Sequence, residues 1–141
     1  MTEIRPKLSD KNIYAIEKHR YYELKHFCLQ YPIWKKAEQS IQAIAESEIR
    51  MTKVQMSDHT NLLERCRRQS EPYINRMRLI ERCCEEADPK AKDILLIGVT
   101  EGLTYDKLSA RYDVCVSRDR YYLDYRRFFY ILSHSQILHF L

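Results

Sequence analysis

Apolar residues recur at helical spacing along most of this chain, so the pattern predicts α-helices from end to end. Ser9 and Asp10 can cap a first helix reaching about residue 30, with Ile13, Ile16, Tyr21, Leu24, Phe27 and Cys28 near one period. Tyr31-Pro32 ends it, and Pro32 also suits the first turn of a second helix over about residues 33–51. There Trp34, Ala37, Ile41, Ile44, Ala45 and Glu48 trace a stripe that turns polar at its end. The polar residues 52–58 are the expected hinge. Residues 59–87 are helical again, with Leu62, Leu63, Cys66, Tyr73, Met77, Ile80 and Cys84 on one side. Pro72 interrupts that run, and Ser70 is a good cap, so a break into two helices or a kink is expected near Gln69.

Three shorter helices follow. Asp88-Pro89 opens the first, whose body, residues 92–101, carries Ile94, Leu95 and Ile97 beside Gly98, which allows another helix to come close; Gly102 closes it. Thr104 caps the second, residues 105–111, with Leu108 and Tyr112 facing inward. The turn at residues 113–116 leads to Ser117, which caps a longer helix running to about residue 133. Two helices joined by a tight turn in this order make a helix-turn-helix unit. The fold class is therefore all-α, with N-terminal helices ahead of a C-terminal helix-turn-helix. Its expected parts are an N-terminal helical region at 1–58, a connecting helix at 59–88, and a DNA-binding unit at 89–141 that includes an apolar tail, Ile137, Leu138, Phe140 and Leu141. That tail is expected to pack back on the domain or to join a partner.

Composition narrows the class. Only two Gly and four Pro occur in 141 residues, too few for the turns of an all-β fold or the loop of a nucleotide-binding α/β domain. No apolar h-region and no run of 18 uncharged apolar residues is present, so a chain of the bacterial-host cytoplasm with no membrane contact is expected. The five cysteines (Cys28, Cys66, Cys83, Cys84, Cys115) lack any C-x-x-C pairing, and the five histidines form no H-E-x-x-H, so the expectation is reduced thiols and no metal or other cofactor. The absence of a G-x-S-x-G elbow, a phosphate loop or a pocketed carboxylate pair speaks against an enzyme.

Charge locates the chemistry. The net +4 is concentrated at the ends, +3 over residues 1–39 and +2 over residues 117–141, around a nearly neutral middle. Arg has the fork that grips guanine in the major groove, so Arg118 and Arg120 are base-reading candidates, joined by Asp119 as a partner for a cytosine amino group and by Tyr122 a turn along. Thr104, Lys107, Arg111, Ser117, Arg126 and Arg127 are the phosphate candidates, the caps through their helix starts and the cations by charge.

The run Leu103 to Tyr112, then Val114 to Tyr122, then Tyr125-Arg126-Arg127-Phe128-Phe129-Tyr130-Ile131-Leu132 resembles the C-terminal helix-turn-helix of phage-encoded RinA-like and ArpU-like transcriptional regulators, themselves similar to region 4 of sigma factors. The likeness is specific over about the last forty residues. It implies a regulator that binds double-stranded promoter DNA of late phage or prophage genes, with Ser117, Arg118, Arg120, Tyr122 and Arg126 at recognition-helix positions; Cys115 and Asp119 depart from the family pattern. The N-terminal helices would then serve RNA polymerase contact or self-association. The alternatives are a small terminase-like DNA-packaging subunit, which usually carries its reader at the N-terminus, and a helical adaptor that binds no DNA.

Overall fold

The computed structural model describes residues 13–51, 56–135 and 137–138. Among them are six α-helices: α1 (Lys18–Leu29), α2 (Tyr31–Met51), α3 (Met56–Ala87), α4 (Lys92–Glu101), α5 (Tyr105–Arg111) and α6 (Arg118–Ser133). The expected all-α class holds. No helix among the described residues is long and apolar enough to cross a membrane.

The first helix starts later than its spacing predicts. Residues 13–17 are not helical, because Glu17 takes the capping role, its carboxylate accepting the backbone N–H groups of His19 at 2.9 Å and Arg20 at 3.1 Å. The proposed cap at Ser9 and Asp10 lies outside the described residues. α2 follows almost without a linker: the Trp34 N–H donates to the Gln30 carbonyl, and Pro32 sits in the first turn, where no N–H is needed. On α2, Trp34 and Ala45 are buried, whereas Ile44 is 61% exposed and belongs to the outer side, against expectation. Residues 52–55 of the expected hinge lie outside the described residues, and Met56 already belongs to α3.

α3 runs unbroken through Pro72, so of the break or kink expected there, the break into two helices does not occur. Pro72 removes the donor for the Arg68 carbonyl, but both residues lie on the exposed side, where water can take that place. Ser70 is a buried mid-helix residue, not a cap. At the far end of α3, Cys83 and Cys84 point in different directions and are both buried, because α3 is flanked there by α4 and α6. Burial pushes their thiols, and that of Cys28, well above the ordinary range, so these are inert packing groups.

One continuous core joins Ile16, Tyr21, Leu24 and Cys28 to Leu79, Ile80 and Cys84 of α3 and onward to Leu95, Leu108 and Phe128. The boundary expected between residues 88 and 89 therefore passes through a single packed interior, and the C-terminal helices are seated on α1 and α3. Leu138 packs against this core and Ile137 remains exposed; Phe140 and Leu141 lie outside the described residues.

Candidate nucleic-acid interface

The last three helices have the ends their sequence predicts except at the start of α4, where Asp88 and Pro89 lie in a turn and the helix begins only at Lys92, behind Ala91, which gives no side-chain cap. Gly102 adopts φ 67°, and the Gly98 carbonyl receives the Gly102 and Leu103 N–H groups, which closes α4. Thr104 Oγ1 accepts the Lys107 N–H at 3.3 Å, and Ser117 Oγ accepts the Arg120 N–H at 3.2 Å. Both phosphate-candidate hydroxyls therefore mark helix starts, with their oxygens already accepting one bond each.

Tyr105, which the sequence reading passed over, fastens those starts together. Its hydroxyl donates to the Val116 carbonyl at 2.7 Å, and its backbone N–H donates to Tyr122 Oη at 3.1 Å. Tyr122 is consequently buried and engaged, which corrects its assignment as a base reader: its hydroxyl completes the α5 start instead of facing a groove. Leu108 is fully buried as expected, but Tyr112 is 39% exposed and does not join the interior. The chain turns to extended geometry at Tyr112, which carries its ring away from the face that buries Leu108.

The inner face of α6 is almost wholly aromatic. Tyr121, Tyr125, Phe128 and Phe129 are buried, with Tyr125 and Phe129 ring centroids 4.9 Å apart and Phe129 5.1 Å from Tyr21 of α1. Tyr21 and Tyr125 also share a hydrogen bond of 2.5 Å between their hydroxyls. This packing fixes which side of α6 faces out. At 100° per residue, Asp119, Leu123, Arg126 and Arg127 fall in one outward stripe at positions i, i+4, i+7 and i+8. Leu123 is 39% exposed in its midst. An apolar residue reads as core in a sequence; only the buried positions Tyr121, Tyr125, Phe128 and Phe129, on the far side of the helix from it, could have shown that Leu123 points outward.

The arginines separate into two kinds. Arg118 reaches back toward α5, 3.4 Å from Asp106 and 6.0 Å from the centre of the Tyr122 ring. An exposed pair of this sort exchanges at little cost. Arg120 is held more firmly: Nε and Nη2 each donate to Asp88 Oδ2 at 3.3 Å, and Nε lies 3.3 Å from Asp124 Oδ1. Nε and Nη2 are thus engaged by the protein's own carboxylates, while the Arg120 side chain as a whole stays half exposed. Burial, and then the neighbouring Asp88, push the Asp124 carboxyl up to about 7. For Asp88, burial opposes ionisation, yet hydrogen bonds from Asp124, the Lys90 N–H and Arg120 hold it below the usual range.

Lys107 and Arg111, four apart on α5, are exposed, as are Arg118, Asp119 and Arg127; Arg126 is half-buried. The structure thus brings the starts of α5 and α6 together through Tyr105, while Arg126 and Arg127 sit two to three turns further along α6. Comparisons with models of protein families, with curated proteins and with solved structures found no match.

Proposed function

We propose that this chain is a sequence-specific DNA-binding transcription regulator of the phage-encoded kind, with the outward face of α6 in the major groove. The observation that supports this most is the stripe Asp119, Leu123, Arg126 and Arg127, mixed in chemistry and presented by a helix whose opposite face is immobilised by aromatic packing. A rigid helix with one solvent-facing row of donors, acceptors and an apolar group has what base-edge reading requires. Asp119 suits a cytosine amino group and Leu123 a thymine methyl. Arg118, exchanging its Asp106 partner, suits a guanine edge. Lys107, Arg111, Arg126 and Arg127 supply phosphate contacts, supported by the capped starts at Thr104 and Ser117. Contact with RNA polymerase or a second copy falls to the N-terminal helices under this proposal.

Selection of bound duplexes from a random pool by the purified chain tests the reading. A defined motif should emerge. Leu123→Ala should relax the preference at one thymine, by about 1 kcal/mol or a little more, while total affinity for unselected DNA stays unchanged. Enrichment of no motif by folded protein would overturn sequence-specific reading; an identical motif from the Leu123→Ala variant would remove Leu123 from the groove.

A further inference from the structure

The Asp88, Arg120 and Asp124 cluster is unusual for a helix surface. Asp124 is 1% exposed in the middle of α6, and neither of its oxygens accepts a well-formed hydrogen bond. Asp88, also buried, opens the link from α3 to α4, where its Oδ1 accepts the Lys90 N–H at 3.1 Å. Two buried carboxyls facing one guanidinium carry one negative charge too many. Placing both as ions in a poorly hydrated site is costly, and the arrangement is relieved when the pair keeps one proton.

We infer that Arg120 is a positioning residue, and that the Asp88–Asp124 carboxyl pair, sharing one proton, forms with it the seat that fixes α6 on the end of α3. In the protonated form the Asp124 hydroxyl donates to the Asp88 carboxylate, which remains free to receive both Arg120 nitrogens. Loss of that proton leaves two carboxylates opposed, with Arg120 drawn to both. The charged groups facing Asp124 are Asp88 from the α3–α4 link and Arg120 and Arg127 from its own helix. Arg120 and Arg127 favour its ionised form and Asp88 opposes it, so the proton on Asp124 is lost near neutrality.

The sign of the pH dependence follows. A carboxyl that binds its proton more tightly in the folded chain than in the unfolded one stabilises the fold at low pH, and that contribution disappears as pH rises toward the folded value. The melting temperature of the full chain should therefore fall between about pH 4.5 and pH 7 and level off above, by at least about 5 °C. Asp124→Asn keeps a donor toward Asp88 and cannot ionise, so it should melt as the wild type does at pH 5 and show no such fall. Arg120→Ala should lower the melting temperature and move the levelling-off to higher pH, and Arg120→Lys should restore much of both.

These measurements need no DNA, and their outcome is independent of the function proposed above; only the consequence for DNA reading rests on it. That consequence is a DNA affinity that declines from pH 6 to pH 8.5 more steeply in the wild type than in Asp124→Asn. A wild-type stability flat across pH 4.5 to 7, or an equal fall in Asp124→Asn, would overturn the shared-proton seat even if DNA binding is confirmed. Unequal falls without any DNA binding would support the seat and count against the regulator.

Discussion

Gly98→Ala should unfold the protein about 10 °C below the wild type, although alanine is the better helix former. A Cβ at position 98 would lie 2.0 Å from Tyr121 Oη, 3.1 Å from Tyr121 Cζ and 3.2 Å from Leu108 Cδ1. Tyr121 is 1% exposed, with Tyr122 and Tyr105 at ring distances of 5.1 and 5.8 Å, so it has nowhere to retreat. Replacing glycine inside a helix returns about 1 kcal/mol of propensity. Forcing a methyl into a filled interior costs about 3 kcal/mol or more, and the difference, about 2 to 3 kcal/mol, corresponds to the stated shift. Thermal unfolding followed by circular dichroism reads it. Tyr121→Phe supplies the check: it removes the one atom in gravest conflict, and that hydroxyl is buried with no hydrogen-bond partner. Alone it should be close to neutral, and combined with Gly98→Ala it should recover more than half of the loss. A Gly98→Ala protein as stable as the wild type would mean that α4 and α6 do not meet at this point.

Replacing Arg126 and Arg127 together by alanine should weaken DNA binding by about 10- to 100-fold at physiological salt, the largest loss expected of any surface pair. Each phosphate contact removed should also lower the slope of log affinity against log salt by about 0.9. Arg127 also lies near Asp124, where its charge favours the ionised carboxylate, so melting temperature should be measured in parallel to separate affinity from folding. Arg67→Ala provides the control. That arginine pairs with Glu64 at 2.9 Å on the exposed surface of α3, and its removal should leave both affinity and slope unchanged. Equal losses from the control and the double variant would point to diffuse attraction between a basic chain and a polyanion, without a defined binding face.

How far the sequence revealed these features depended on the range of the interaction responsible. Thr104, Ser117 and Gly102 act on N–H and carbonyl groups within a few residues, and the end of α4 and the starts of α5 and α6 follow from them. Glu17 acts just as locally, but a glutamate caps less often than a serine or aspartate, and Ser9 and Asp10 offered the conventional choice upstream. Pro72 shows the reverse case. Its local rule favours a break, and packing of α2 and the core along α3 overrides it. The site was legible as a basic, capped helix pair, and illegible in its orientation. Arg120 meets Asp88 across 32 residues of chain, and Tyr122 meets Tyr105 across 17. No spacing rule announces either contact, so an arginine held by carboxylates of another segment and one left on the surface, or an inward and an outward tyrosine, look alike until the helices are packed.

Whether the outer face of α6 with the cations of α5 binds DNA is decided by titrating the full chain with its selected duplex and with random duplex over a range of salt. A slope of log affinity against log salt of about −3 to −4 is expected, matching Lys107, Arg111, Arg126 and Arg127 as phosphate contacts. The selected site should be bound at least about 1,000-fold more tightly than random sequence. A folded protein whose affinity is indifferent to salt, or equal for the two duplexes, would contradict the proposal.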